Sequence, residues 1–386
     1  MDIYDSNYHL GLRGRLGRIC NPPEPLVIIL TELQLQSSQR HSSQFLRQLF
    51  EIPDLKLSQL QPEKVCTNLS AEQLGGMACS MGGEKPPEVS QNWQSARLVI
   101  RAQALTLDKI LNVQQALQDR VQVKEIHAVV KAGCEQEYAV VMNVAMAPEG
   151  LQEDRLHKLA LAYQLELNLL TCPPRLNKPG LLLMDMDSTM IAMECIDEIA
   201  KLAGVGEQVS EVTEQAMQGK LDFAESLRNR VACLEQASEE TLWQIREAMP
   251  LMPGLEKLVS VLKRHGWKVA LVSGGFTFFA DYLKLRLGLD FARANELEII
   301  DGRLTGRVQG EIVDATVKAQ TLEELAQRFG IDKQQTVAMG DGANDLKMMA
   351  QAGLGVAYKA KPVVLGQADA AIRFAGLDEL LYLLDD

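Results

Sequence analysis

At 386 residues the chain is long enough for two or three domains with separate cores. A net charge of -12 argues against a nucleic-acid surface, because phosphate backbones are met by an excess of lysine and arginine, so an anionic small ligand must be drawn by a local site. Seven cysteines, scattered and without a Cys-x-x-Cys pair, argue against a disulfide framework or a zinc knuckle; with no apolar run near the ~18 residues of a membrane span and an acidic start lacking a signal-peptide core, they place the chain in a reducing cytoplasm.

Residues 1–94 combine an apolar run at 26–30, Gln/Ser-rich sequence and a Gly- and Pro-containing linker at 75–93, and carry no assigned function. Residues 95–171 turn regular. Strand 98–102, amphipathic helix 108–120, strands 122–130 and 138–146, helix 152–166 and a final apolar stretch at 167–170 give the β-α-β-β-α-β order of a ferredoxin-like α+β domain. Residues 172–180, with Pro173-Pro174 and Pro179-Gly180, read as a linker.

From residue 181 to 386, strands at 181–185, 268–272, 336–339 and 354–357 alternate with helices starting near Thr277, Lys318 and Ala343. That alternation predicts an α/β fold with a doubly wound, mostly parallel sheet. Between the first two strands lie four helical patterns, at 195–203, 209–218, 223–233 and 239–248. A crossover needs one helix, so the surplus reads as a cap inserted after the first strand, about residues 190–265. Asp301-Gly302, flanked by apolar runs, signals a β-hairpin.

The chemistry-bearing residues fall at the ends of these strands. Asp185-Met186-Asp187 follows the apolar run Leu181-Leu182-Leu183-Met184, where open parallel sheets keep their ligands, and its two carboxylates share a side if the chain stays extended through Met186. Ser273-Gly274-Gly275 follows a second apolar strand and supplies a hydroxyl and glycine N–H groups that suit a phosphate. Lys318 opens a helical pattern that runs to Phe329 and offers an ammonium. Gly340-Asp341-Gly342-Ala343-Asn344-Asp345 joins a strand to a helix through an acidic loop.

In that order the four segments resemble the four motifs of the haloacid dehalogenase superfamily. Glu194-Cys195-Ile196-Asp197-Glu198, Phe223-Ala224-Glu225-Ser226-Leu227-Arg228-Asn229-Arg230 and Ser273-Gly274-Gly275-Phe276 narrow the resemblance to its phosphoserine phosphatase branch, over about residues 180–375. The resemblance implies a Mg2+-dependent hydrolysis of O-phospho-L-serine, the last step of serine biosynthesis. Asp185 would be the nucleophile that becomes a phosphoaspartate, and Asp187 the general acid and base. Asp185, Asp341 and the main-chain carbonyl of Asp187 would hold Mg2+, with Asp345 orienting waters behind them. Ser273, Gly274, Lys318 and Asn344 would bind the phosphoryl group, and Glu194 and Arg230 the ammonium and carboxylate of the amino acid. From type and spacing alone, Glu194 also fits a helix N-terminal acid and Arg230 an exposed helix charge; Phe223 and Met217 fit the core as well as a pocket wall, and Gly219 a cap as well as a hinge.

Residues 95–171 are similar in pattern to an ACT domain, which implies either serine binding or dimerisation. Other readings of the chain are a phosphatase for a different small monoester, a phosphotransferase that passes the phosphoryl group from Asp185 to an alcohol, and a serine-sensing regulatory protein. The halide-displacing branch of the superfamily has no use for an acid at Asp187.

Overall fold

The computed structural model describes residues 93–385 other than 104, 106, 130–138, 152 and 219, so the expectations for residues 1–92 and for Gly219 lie outside the described residues. The side chain of Met217 does too. The chain divides into two units, the first ending at Thr171 and the second running from Cys172. No described helix is long and apolar enough to cross a membrane.

In the first unit, β1 (Gln94–Arg101), α1 (Leu107–Leu117), β2 (Val121–Val129), β3 (Ala139–Met146), α2 (Glu153–Tyr163) and β4 (Glu166–Leu170) follow the expected β-α-β-β-α-β order. The sheet order is β2-β3-β1-β4, and each described neighbour pair is antiparallel. Alternate residues of the strands, Leu98, Ile100, Val140 and Met142, pack with Ile110, Val113 and Ala160 of the two helices. Helix α2 stops short of the expected residue 166. Gln164 takes a left-handed conformation (φ 52°), and the Leu165 N–H turns back to the Ala160 carbonyl, a helix-ending motif made here without the usual glycine. Glu166 is thereby released into β4.

The second unit is built on a seven-stranded sheet. Its strands are β5 (Leu181–Met184), β6 (Lys268–Phe276), β7 (Phe291–Ile300), β8 (Arg303–Gln309), β9 (Thr336–Gly340), β10 (Leu354–Tyr358) and β11 (Ala370–Ile372), in the order β11-β10-β9-β5-β6-β7-β8. All neighbour pairs are parallel except β7 with β8. Every residue of β5 is buried, as an apolar run covered on both faces requires. The connections leave β5 toward β6 on one side, while β9 lies on the other, so the strand order reverses beside the end of β5.

Five helices separate β5 from β6: α3 (Cys195–Leu202), α4 (Gly206–Met217), α5 (Phe223–Ala232), α6 (Glu239–Ala248) and α7 (Leu255–Arg264). Helix α7 buries Leu255, Leu258, Val259, Val261 and Leu262 and packs against β6, which makes it the crossover helix. The other four form the surplus. Helix α5 begins at a capping box in which the Glu225 N–H donates to Asp222 at 2.8 Å. Helix α8 (Thr277–Leu287) follows β6, and α9 (Ala315–Phe329) follows the β7-β8 hairpin. At the tip of that hairpin Asp301 and Gly302 both have positive φ (50° and 72°), the geometry of a two-residue turn that matches strand twist.

Two expected boundaries shift. Helix α9 starts at Ala315, not near Lys318, because the Asp314 side chain caps it by accepting from the N–H groups of Thr316 (2.8 Å) and Val317 (2.9 Å). Strand β6 runs on through Ser273, Gly274 and Gly275, which form an irregular, bulged stretch: the pairing with β7 jumps from Val272–Arg293 to Phe276–Asn295. Residues 174–176, expected as linker, are stitched to the far end of this unit. The Leu176 N–H donates to the Asp385 carbonyl (2.7 Å), the Asp385 N–H to the Pro174 carbonyl (2.9 Å), and the Trp267 indole to the Leu176 carbonyl (3.1 Å).

Candidate active site

The backbone N–H of Asp185 donates to the Met339 carbonyl (3.0 Å), extending the β5-β9 ladder one residue and bringing this carboxylate to the mouth of β9. The chain then turns sharply. Thr189, Met190 and Ile191 N–H groups all point at the Met186 carbonyl, and Ser188 is left-handed (φ 56°). Asp185 and Asp187 consequently both line one cavity of about 320 Å³.

Lys318 lies in the first turn of α9, fully buried, where neither the helix dipole nor the loss of water favours a cation. Two carboxylates compensate. Its Nζ lies 2.8 Å from Asp185 Oδ1 and 2.7 Å from Asp345 Oδ1. Burial opposes the ammonium, but these charges more than reverse it and hold the group above the usual lysine range. Asp345 ends the short 3-10 turn Ala343–Asp345 that precedes helix α10 (Leu346–Gln351), and its second oxygen accepts from the Gly342 N–H (3.1 Å). Among the described residues the donors that reach Asp185 both bind Oδ1, since Met186 N–H joins Lys318 there at 2.8 Å. Oδ2 is left for chemistry.

Asp187 Oδ1 accepts from the Cys195 N–H at 3.3 Å. Removal of water by the surrounding protein, reinforced by the charges of Glu194 and Asp185, pushes its carboxyl up to about 8 and so favours the protonated form. Gly275 is required beside it, because a Cβ there would fall 2.8 Å from Asp187 Oδ2. Asp341 is pushed up to about 6, again by burial first and then by Asp185 and Glu194. Thr189 Oγ1 donates to it at 3.3 Å, a contact the sequence did not single out.

Glu194, just ahead of α3, and Arg230, on α5, enter the same cavity. Glu194 is the residue before α3 and makes no cap bond to it; its carboxylate accepts instead from Ser188 Oγ at 2.6 Å. Burial raises its pKa despite that bond. Among the described residues no hydrogen-bond partner reaches the buried Nε of Arg230, while the residue as a whole lines the cavity. Ser273, Gly274 and Asn344 also line the cavity, as does Phe223, whose ring packs so closely on Gly274 that a Cβ there would meet it at 2.8 Å. Lys361 and Val363, ahead of and within α11 (Pro362–Leu365), complete the mouth. No spacing in the sequence marks them.

Every expected site residue therefore lies on this one cavity or directly behind it, Lys318 and Asp345 forming the buried backing. Carboxylate oxygens of Asp185, Asp341 and Asp345 come within 4.8 Å of one another. An all-oxygen acidic set suits a hard divalent cation. The residues fit such an ion.

Residues 180–353 match the model of the haloacid dehalogenase-like hydrolase family. A phosphoserine phosphatase of Vibrio cholerae is 61% identical over 211 residues, 55% of this chain and 64% of that relative. One of Haemophilus influenzae is 52% identical over 247 residues, 64% of this chain and 79% of that relative. Among solved structures, an unliganded probable phosphoserine phosphatase from Vibrio cholerae superposes with a TM-score of 0.63 at 48% identity, over 75% of this chain and 86% of that one. A phospho-aspartyl intermediate analogue of phosphoserine phosphatase gives 0.51 at 43% identity, over 54% and 100%. With the acidic cluster, the buried lysine and the bulged Ser-Gly-Gly strand converging on one cavity, the chain belongs to the phosphoserine phosphatase family of haloacid dehalogenase-like hydrolases.

Proposed function

We propose that the chain hydrolyses O-phospho-L-serine to L-serine and phosphate through a phosphoaspartate on Asp185. The observation that carries this reading is a single cavity in which a carboxylate backed by a buried lysine faces the same space as Glu194 and Arg230. Phosphoserine needs all three: a nucleophile for phosphorus, an acid for its ammonium and a guanidinium for its carboxylate. Asp185, Asp341 and the Asp187 main-chain carbonyl would hold Mg2+, which when bound would neutralise the phosphoryl oxygens against an attacking anion.

Asp185 Oδ2 attacks phosphorus while Lys318 holds Oδ1 in place. The serine oxygen leaves with a proton from Asp187, whose protonated form burial and the neighbouring acids Glu194 and Asp185 favour and a bound cation would oppose. Asp187, now ionised, takes a proton from the water that attacks the phosphoaspartate, and phosphate departs. Ser273 Oγ–H, the Gly274 N–H and Asn344 bind the transferring oxygens. Asp345, with one oxygen on Lys318 and the other on the Gly342 N–H, positions the lysine and the loop. Helices α3 to α6 act as the cap that carries substrate selectivity.

Phosphate release from phosphoserine, measured with Mg2+ and then with a chelator, tests the proposal: activity should vanish on chelation and return with excess Mg2+. Faster hydrolysis of unrelated monoesters than of phosphoserine overturns the substrate assignment, and product phosphorylated on an added alcohol would make the chain a phosphotransferase.

For the first unit, the β2-β3-β1-β4 sheet with two helices supports an ACT-like module that binds serine or pairs with a second copy. Serine titrated calorimetrically into an Arg230→Ala variant, whose catalytic cavity lacks the carboxylate anchor, separates these; heat supports serine binding there, and no heat leaves pairing.

A further inference from the structure

We infer that Asn295 is a positioning residue that sets the direction of the Ser273 hydroxyl and ties the two phosphate-binding segments together. It is 1% exposed, on β7, opposite Phe276 at the far edge of the β6 bulge. Its Nδ2 donates to the Gly274 carbonyl at 2.8 Å, and its Oδ1 accepts from the Val313 N–H at 2.8 Å. The partners fix the amide orientation, since a carbonyl requires a donor and an N–H an acceptor.

The first bond acts on a single peptide plane. The Gly274 carbonyl and the Gly275 N–H belong to the same peptide group, so holding one aims the other. The Gly275 N–H donates to Ser273 Oγ at 2.9 Å. A hydroxyl has one proton, and an Oγ that accepts from that N–H cannot donate back to it, which leaves the proton for an acceptor in the cavity that Ser273 lines. Asn295 thus orients a donor it does not touch. The second bond anchors Val313, directly before Asp314, the cap of the helix whose first turn carries Lys318. One buried amide therefore spans the Ser-Gly-Gly bulge and the start of α9. Aspartate, the isosteric acid, would keep the bond from Val313 and set an anion against the Gly274 carbonyl.

The inference rests on Ser273 binding the phosphoryl group, and the test separates the two. N295D, S273A and the double variant are compared in kcat/KM for phosphoserine and in inhibition by inorganic phosphate and by L-serine. Serine uses Glu194 and Arg230, so it reports on the cavity without the bulge. N295D should lower kcat/KM by roughly 100-fold, the lower end of the cost of losing one aligned donor, and weaken phosphate inhibition while serine inhibition changes less than about twofold. In the S273A background N295D should cost little more, because the hydroxyl it aims is gone. Equal weakening of both inhibitors, unchanged phosphate inhibition, or multiplying losses in the double variant overturns the positioning role. An S273A enzyme with wild-type constants overturns instead the assignment of Ser273. N295S, which introduces no charge, carries the same comparison should N295D be recovered unfolded.

Discussion

The cavity has one end supplied by the sheet and another supplied by the inserted helices, and they differ in how much of their polar chemistry is already satisfied. At the sheet end Lys318 is paired with Asp185 and Asp345, Asp345 also accepts from the Gly342 N–H, and the Ser273–Gly275 stretch is held by Asn295. At the helical end no described residue bonds the Nε of Arg230, and Glu194 is held by one serine hydroxyl. Groups that stabilise a transition state gain from being fixed in advance, because no reorganisation is then charged to the reaction. Groups that select a ligand gain from being unsatisfied without it, since the wrong ligand leaves the penalty in place.

The sharpest way to break this contrast is at the nucleophile. Asp185→Asn is isosteric and should abolish phosphate release, a loss of at least about 10³-fold, while circular dichroism stays that of the wild type. Residual turnover near the native rate would place the nucleophile elsewhere.

Lys318→Met tests whether the sheet end is held by its own pairing. Two buried carboxylates would lose their shared cation, and urea denaturation should show a destabilisation of about 3–5 kcal/mol together with loss of activity. A variant as stable as wild type would mean that the pair is not a structural element.

Arg230→Ala should act at the helical end alone. It should lower kcat/KM for phosphoserine roughly 10- to 100-fold and hydrolysis of phosphoethanolamine, which has no carboxylate, by less than about threefold. Equal losses on the two substrates would erase the division of labour.

The smallest effect is that of pH. Asp187 must be protonated when the serine oxygen leaves, and its pKa stands near 8 because burial and neighbouring acids disfavour the anion. Raising pH removes that proton, so kcat/KM should fall on the alkaline side, by up to about tenfold per pH unit beyond the crossover. A bound cation favours ionisation and moves the crossover down, so the alkaline limb should begin at or below about pH 8. Activity rising steadily from pH 7 to 10 would remove Asp187 from the acid role.

What could be read in advance was what local pattern encodes. The apolar run 181–184, the Asp301-Gly302 turn and the acidic loop 340–345 each announce themselves over a few residues, and the β5, β6 and β9 ends meet because parallel strands bring their carboxyl ends together. Glu194 and Arg230 were reached by resemblance, since a lone acid and a lone arginine on helices have no spacing that marks them. Asn295 escaped altogether: its partners lie 21 and 18 residues away, on either side in sequence, and the register of β6 with β7 brings only the first of them, Gly274, near it along the strands. Lys361 escaped for the same reason. The end of α2 was misjudged because Gln164, not a glycine, takes the left-handed position.

The stitching of residues 174–176 to Asp385 places the entry and exit of the second unit side by side, with Trp267 packed over Gly180, where a Cβ would fall 2.7 Å from the ring. A polypeptide whose start and finish touch can be rewired. Joining residue 385 to residue 174 by a short Gly/Ser bridge and opening the gene at the exposed Asp301-Gly302 tip would yield a circular permutant that keeps all seven strands, both walls of the cavity and the order of the sheet, while the chain is threaded from a different origin.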